Sequence, residues 1–445
     1  DIINRVKKAY FTKKFLMDEI QKSIKIIENE KDFSIEGKEK SDYNIYYKYL
    51  NGIFNILEED SLQYFKNNTN KPNKIEKELL DKIYLGGNIH TSISRLEKYA
   101  ECPFSYHLRY GLNIKDRSSQ SSNYFASIGT FLHEVIKETF DYIKENNINE
   151  KITEEGLPKK SIYSLEELIF KENQDLEINI ERYISTIEKI VNKSIEIVRK
   201  KEQFKEFGFK KNNEIVLNKI EKEMNKICLD INEGIRLSKF KILKNEATFG
   251  SGQRDYGNIV YDLDGKSKVY LEGAIDRIDI TDMSEFRIID YKSSDKIIEI
   301  PKVINGLSLQ LITYLSVIEE KLNLKPTAML YKRLLYGLES KKGRLDNFEI
   351  IKKAKQDLKM TGKLIIDTVE DKEELYIHDS NLETEGKVKS EVIDIEKTKD
   401  DIISKSKIKN ILEKEEYEDI REKVFEKIKE ISRNILRRKC GYISI

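Results

Sequence analysis

The stretch from Leu271 to Lys292 limits what this chain can fold into more than any other. It reads as two apolar, β-branched strands joined by a polar turn, with Asp276 in the first strand and Asp290 near the end of the second. Lys292 follows two residues after Asp290. Side chains alternate faces along a strand, so Asp290 and Lys292 share a face and Tyr291 points away. A turn over Thr281–Glu285, centred on Met283, sets Asp276 opposite Asp290, Ile278 opposite Ile288 and Ile280 opposite Phe286. Facing like charges repel, so one of the two carboxyls is expected to titrate high. A carboxylate at the end of a buried strand is costly unless it is paired or bound to metal. Two carboxylates and an ammonium at one end of a sheet suit a divalent cation and an activated water, as in metal-dependent phosphodiester cleavage. The plainer alternative is a structural ion pair of Asp290 with Arg277 or Lys292. Asp-x-Lys triplets arise by chance in a chain with 79 acidic and 80 basic residues.

The charges nearly cancel, to a net +1, so no global basic field marks this chain for nucleic acid. A DNA-binding surface must then be a local patch. With 445 residues, about two or three domains are expected. No apolar run is long enough for a membrane span, and no secretory leader is expected. The first residue is Asp, which points to a piece of a longer chain. Cys102, Cys228 and Cys440 lie far apart, against a disulfide framework and in keeping with a reducing cytoplasm. No G-x-x-x-x-G-K-[ST] phosphate loop occurs, so ATP binding of that kind is not expected.

Along the chain, residues 1–87 read as helical, closing at the Gly86-Gly87 turn. Residues 88–150 hold a helix capped by Thr91 or Ser92 and running through Leu96 and Tyr99, then Cys102-Pro103-Phe104. A second helix follows there, with Leu132, Ile136 and Phe140 in one stripe and His133 at its edge. Residues 151–238 are long, charged, helical stretches without a chemical motif and read as an insertion. Cys228 lies within them as a small buried hydrophobe. Strand patterns dominate 239–345, interrupted by an amphipathic helix over 305–322, with a further strand at 327–336. Residues 346–445 are polar and read as mostly helical from Lys387 to Arg438.

Four of these stretches, in this order, resemble a known family. TSISRLEKYAECPFSYHLRYGL, IGTFLHEVIKETF, GAIDRID with IIDYK, and LSLQLITY are similar to the B component of bacterial AddAB-type helicase–nucleases. That family's nuclease module is a RecB-like PD-(D/E)xK domain. The resemblance covers roughly 88–335 and is weaker over 1–87, where it implies the end of a helicase-like region. It implies an α/β, restriction-endonuclease-like core with a large helical insertion and helical flanks. It implies Mg²⁺ held by His133, Asp276, Asp290 and the Tyr291 carbonyl, with Lys292 orienting water or offsetting phosphate charge. Gln310 and Tyr314, one helical turn apart, would line the site beside the DNA backbone. The implied activity is exonucleolytic cutting of one strand of unwound DNA, the 5′-ended one, in double-strand break repair. The implied partner is the A component of the same complex.

The resemblance also implies a [4Fe–4S] cluster on Cys102 and three late cysteines, of which Cys440 matches the first. The next matching position is Ile443, and the chain stops at Ile445, so at most two of four ligands are expected here. Two other readings are carried: an inactive nuclease fold that only grips or reads DNA, and a solitary RecB-like or Cas4-like nuclease. Loss of His133, Asp276, Asp290 or Lys292 would favour the first; all four are present. The length and the helicase-like segment speak against the second.

Overall fold

The computed structural model describes residues 88–114, 120–162, 174–204, 211–334, 358–368, 373–399, 403–404 and 407–436. The expected helices of 1–87, and Cys440 with the tail around it, lie outside these residues.

The strand β5 (Glu285–Lys292) sits in the interior of the sheet because its sequence is apolar on both faces, with Phe286 through Tyr291 all buried. It pairs antiparallel with β4 (Lys268–Ile280) and parallel with β6 (Lys325–Arg333). The β4–β5 register is the expected one, with Ile278 opposite Ile288 and Ile280 opposite Phe286. The turn is fixed by Thr281, whose hydroxyl accepts from the amides of Met283 and Glu285, and by Ser284 at φ 66°.

Among the described residues, the main sheet has eight strands. Its path runs β1 (Ile89–Ser92), β4, β5, β6, β7 (Thr361–Ile366) and β8 (Ile411–Glu413). The strands β2 (Lys241–Phe249) and β3 (Ile259–Asp262) both pair antiparallel with the long β4. Strands therefore come from well before and well after 239–345. Ahead of the last helix, the segment expected to be helical from Lys387 instead holds short strands and β8, and the helix starts at Lys414. Its charged composition hid brief strands whose pairing is long-range.

Helices cover both faces. On one side lie α2 (Gln120–Glu145), α3 (Gln174–Arg199) and α4 (Lys211–Arg236), packed on Ile289, Tyr291, Ala328 and Leu330. On the other lie α1 (Ile93–Glu101), α5 (Gln310–Leu322) and α6 (Lys414–Leu436), packed on Phe286, Ile288, Met329 and Tyr331. Alternate residues of β5 and β6 thus feed two separate cores, as the period of two requires. Ser92 sits at the N-cap of α1 without a side-chain cap bond, and Thr91 belongs to β1. The expected amphipathic helix is α5, and it is not amphipathic: Leu311 to Ile318 are buried without interruption, between the sheet and α6. Gly273 in β4 leaves room for the edge-to-face contact of Phe249 with Tyr314, since a Cβ there would lie 2.7 Å from Phe249 Cζ. Among the described residues, no helix is long and apolar enough to cross a membrane.

A buried ionic cluster clamps β4 to β5. Arg277 grips Asp279 through two 2.6 Å bonds, and Arg287, directly across the strands, adds a 3.0 Å bond to the same carboxylate. All three are sealed from solvent. Burial opposes the Asp279 charge, but the two guanidiniums hold its carboxyl below the ordinary range. Asp279→Ala would take from both guanidiniums the carboxylate they share. It should cost about 3–5 kcal/mol of stability in urea unfolding, far more than a surface carboxylate.

His378, fully buried, packs on Phe240 at 5.1 Å and faces Arg287 at 3.5 Å. Burial and then the Arg287 charge hold its imidazole well below the ordinary 6.5. The unfolded chain takes up this proton near 6.5 and the folded chain resists it, so acid favours unfolding. From pH about 6.5 downwards, the wild type should lose roughly 1 kcal/mol more per pH unit than His378→Gln, as measured by urea titrations across that range.

Candidate metal and catalytic site

The β4–β5 ladder ends at Arg277 opposite Ile289, one residue short of the two aspartates. Beyond it, the Tyr291 amide donates to Asp276 Oδ2 at 2.6 Å rather than to backbone. A side chain thus takes over the ladder where the strands part, and the gap it opens is polar.

Besides β4, which carries Asp276, four elements deliver side chains to this gap. From α2 comes His133, whose neighbours Leu132 and Ile136 are buried and fix that helix against the sheet. Its Nδ1 lies 3.5 Å from Asp276 Oδ1 and 3.4 Å from Glu246 Oε1, and its ring meets Tyr291 edge to face at 5.6 Å. From β2 comes Glu246. Its neighbours Asn245 and Ala247 pair with Arg277 and Ile275, so Glu246 falls in register with Asp276. Ligand atoms of His133, Glu246 and Asp276 all lie within 4.8 Å of one another. From β5 come Asp290 and Lys292, and from α5 comes Gln310. Gln310 Nε2 donates to Asp290 Oδ1 at 2.9 Å, and Lys292 Nζ lies 3.5 Å from Gln310 Oε1. The Lys292 ammonium also pairs with Asp290 Oδ2. Tyr314, one turn further along α5, is buried against Phe249.

Sequence reasoning did not find Glu246. It stands in a polar-looking run, Lys-Asn-Glu, with nothing to mark it. The structural signal is its φ of 49°, a left-handed conformation unusual for a strand residue that is not glycine.

The electrostatics follow from this crowding. Burial disfavours the His133 imidazolium, but Asp276 and Glu246 outweigh it and push the group up to about 10. Burial and then the Asp276 charge push Asp290 up to about 6, against Lys292 and His133, which pull it down. Arg277, an alternative partner for Asp290, is taken by Asp279. The close donor group is two carboxylates and one imidazole, from Glu246, Asp276 and His133; Asp290, outside that group, has in Oδ2 a buried oxygen with no aligned hydrogen bond. That set fits a hard divalent cation.

The profile of the PD-(D/E)XK nuclease superfamily matches residues 90–442. The chain belongs to that superfamily. It is also similar to curated proteins named as the B component of an ATP-dependent helicase/deoxyribonuclease. It is 31% identical over 379 residues to the one from Clostridium perfringens (strain SM101 / Type A), covering 83% of this chain and 29% of the relative. To that of Clostridium acetobutylicum (strain ATCC 824) it is 32% identical over 312 residues, covering 67% and 24%. To that of Clostridioides difficile (strain 630) it is 29% identical over 377 residues, covering 83% and 29%. The chain spans less than a third of the length of these relatives.

Among the described residues, the cysteines are Cys102 and Cys228. A [4Fe–4S] cluster takes four thiolates. Cys102 accepts a hydrogen bond from the Ser105 amide at 3.4 Å, at the start of a short helical turn. Cys228 is sealed in the helical core, where burial pushes its thiol up to about 12. Cys440 lies outside the described residues. After anaerobic reconstitution of the 445-residue chain, iron and sulfide analysis should give well below four irons per chain, and four would show a ligand set other than cysteine.

Proposed function

We propose that this chain is the DNA-cutting module of a helicase–nuclease complex, acting as a Mg²⁺-dependent exonuclease on single strands released from unwound duplex. The observation that carries this reading is the convergence of His133, Glu246, Asp276, Asp290, Lys292 and Gln310 where β4 and β5 part. His133, Glu246, Asp276 and Asp290, with the Tyr291 carbonyl, would hold the cation. A divalent ion bound there would polarise the phosphoryl oxygen and acidify a water molecule.

The chain's own groups do the rest. Asp276 is held by the Tyr291 amide, so its Oδ2 cannot swing away. Gln310 fixes Asp290 through Oδ1, which leaves Oδ2 turned to Lys292 and the gap. Lys292 lies between Asp290 and Gln310, placed to orient a water or to offset negative charge on the scissile phosphate. Tyr314, buried against Phe249, walls the site on the α5 side. The names of the relatives support a role beside a helicase motor, with a second chain of the complex as partner, DNA as substrate and break repair as setting.

Asp290→Ala and Glu246→Ala remove ligand oxygens and no apolar side chain. Each should abolish Mg²⁺-dependent degradation of end-labelled single-stranded DNA while melting like the wild type. Lys292→Ala should slow it about 10²–10³-fold and leave Mn²⁺ affinity, read by calorimetry, largely intact. Wild-type cleavage by the Asp290→Ala protein would sink the assignment.

A further inference from the structure

The helix α5 begins at Gln310, yet nothing in its own sequence caps it: Leu309 stands at the N-cap position and gives no side-chain bond. The first amides of a helix need acceptors, and here they find one elsewhere in the chain. Glu97, on α1, reaches across with Oε1, accepting from the Leu309 amide at 2.6 Å and the Gln310 amide at 3.0 Å. A carboxylate at a helix N-terminus also meets the positive end of the helix dipole. The bond is long-range, joining residues 212 and 213 positions apart in sequence.

The capped residue is the one that touches the site. Gln310 uses both ends of its amide there, donating to Asp290 Oδ1 and facing Lys292 with Oε1. We propose that Glu97 is a positioning residue: it fixes the first turn of α5 so that Gln310 holds the Asp290 carboxylate and the Lys292 ammonium in their working arrangement. This role rests on the nuclease reading and deepens it. Outer groups that orient metal-binding carboxylates commonly change affinity or rate by about 10–100-fold when removed. Glu97 also fits the role by its surroundings. Burial holds its carboxyl above the ordinary range, opposed in part by the two α5 amides and the charges of Lys296 and Lys292.

The experiment uses the 445-residue chain and reads three quantities for each variant: melting temperature, kcat with KM on single-stranded DNA, and Mn²⁺ affinity by calorimetry. Glu97→Ala should lower kcat about 10–100-fold with little change in KM, and weaken Mn²⁺ binding about tenfold. Glu97→Gln keeps an acceptor in place and should return kcat to within about threefold of wild type. In a Gln310→Ala background, Glu97→Ala should add less than about twofold, because the path through Gln310 is already cut. If Glu97→Ala does not fold, Glu97→Asp, which retracts the carboxylate by one methylene, is judged by the same criteria. Wild-type kcat and Mn²⁺ affinity in a folded Glu97→Ala or Glu97→Asp protein would overturn the proposal. So would equal losses with and without Gln310. A wild-type chain that cleaves nothing would instead break the nuclease reading, and the Mn²⁺ affinities would still decide whether Glu97 positions Asp290.

Discussion

The site depends on one hydrogen bond that is not part of a ladder. At Tyr291 the amide leaves its strand partner and bonds the Asp276 carboxylate at 2.6 Å. Had β4 and β5 paired for one residue more, Asp276 and Asp290 would be locked into a flat, closed sheet. Because the ladder stops at Arg277 and Ile289, the strands separate and the gap fills with carboxylates. A buried amide must find an acceptor, and Asp276 supplies it while remaining within reach of His133.

Such an opening needs a rigid frame below it. The Arg277–Asp279–Arg287 cluster provides one, beneath the gap and shielded from water. Arg287 stacks its guanidinium over Phe240 at 4.1 Å, which ties the start of β2 to the same clamp. The strand that carries Glu246 is thereby anchored next to the strands that carry the aspartates. Buried ion pairs of this kind add little net stability but punish any alternative register severely.

The two faces of the sheet contribute different chemistry. α2 brings His133 from the side of the long helices, and α5 brings Gln310 and Tyr314 from the other. Neither core alone contains the site; it lies where the two meet at an end of the central strands. Three carboxylates, an imidazole and an ammonium within one gap give a local charge pattern that a net charge of +1 over 445 residues does not disclose. The opposing pulls on His133, raised under two carboxylates, and on Asp290, raised under burial and Asp276, express that crowding.

Much of this was legible in the sequence, for a physical reason. The period of two along Leu271–Lys292 fixes which side chains share a face, and the polar turn fixes the register. The helical stripe of Leu132, Ile136 and Phe140 likewise puts His133 at the margin of a buried face. Local pattern could not show that α5 is buried all round, since that depends on α6 covering its outer side from a remote part of the chain. Nor could it show β7 and β8, whose pairing partners are remote. The role of Glu246, and that of Glu97 within its quoted stretch, were invisible for the same reason. Each residue is an ordinary glutamate in its own segment, and only chain folding sets one opposite Asp276 and the other against the bare end of a distant helix. Sequence alone determined β4 and β5, the register between them, and His133, Asp276 and Asp290 as candidate ligands. Tertiary structure decided where the ladder breaks and which remote carboxylates complete the site, because long-range contacts leave no periodicity to read.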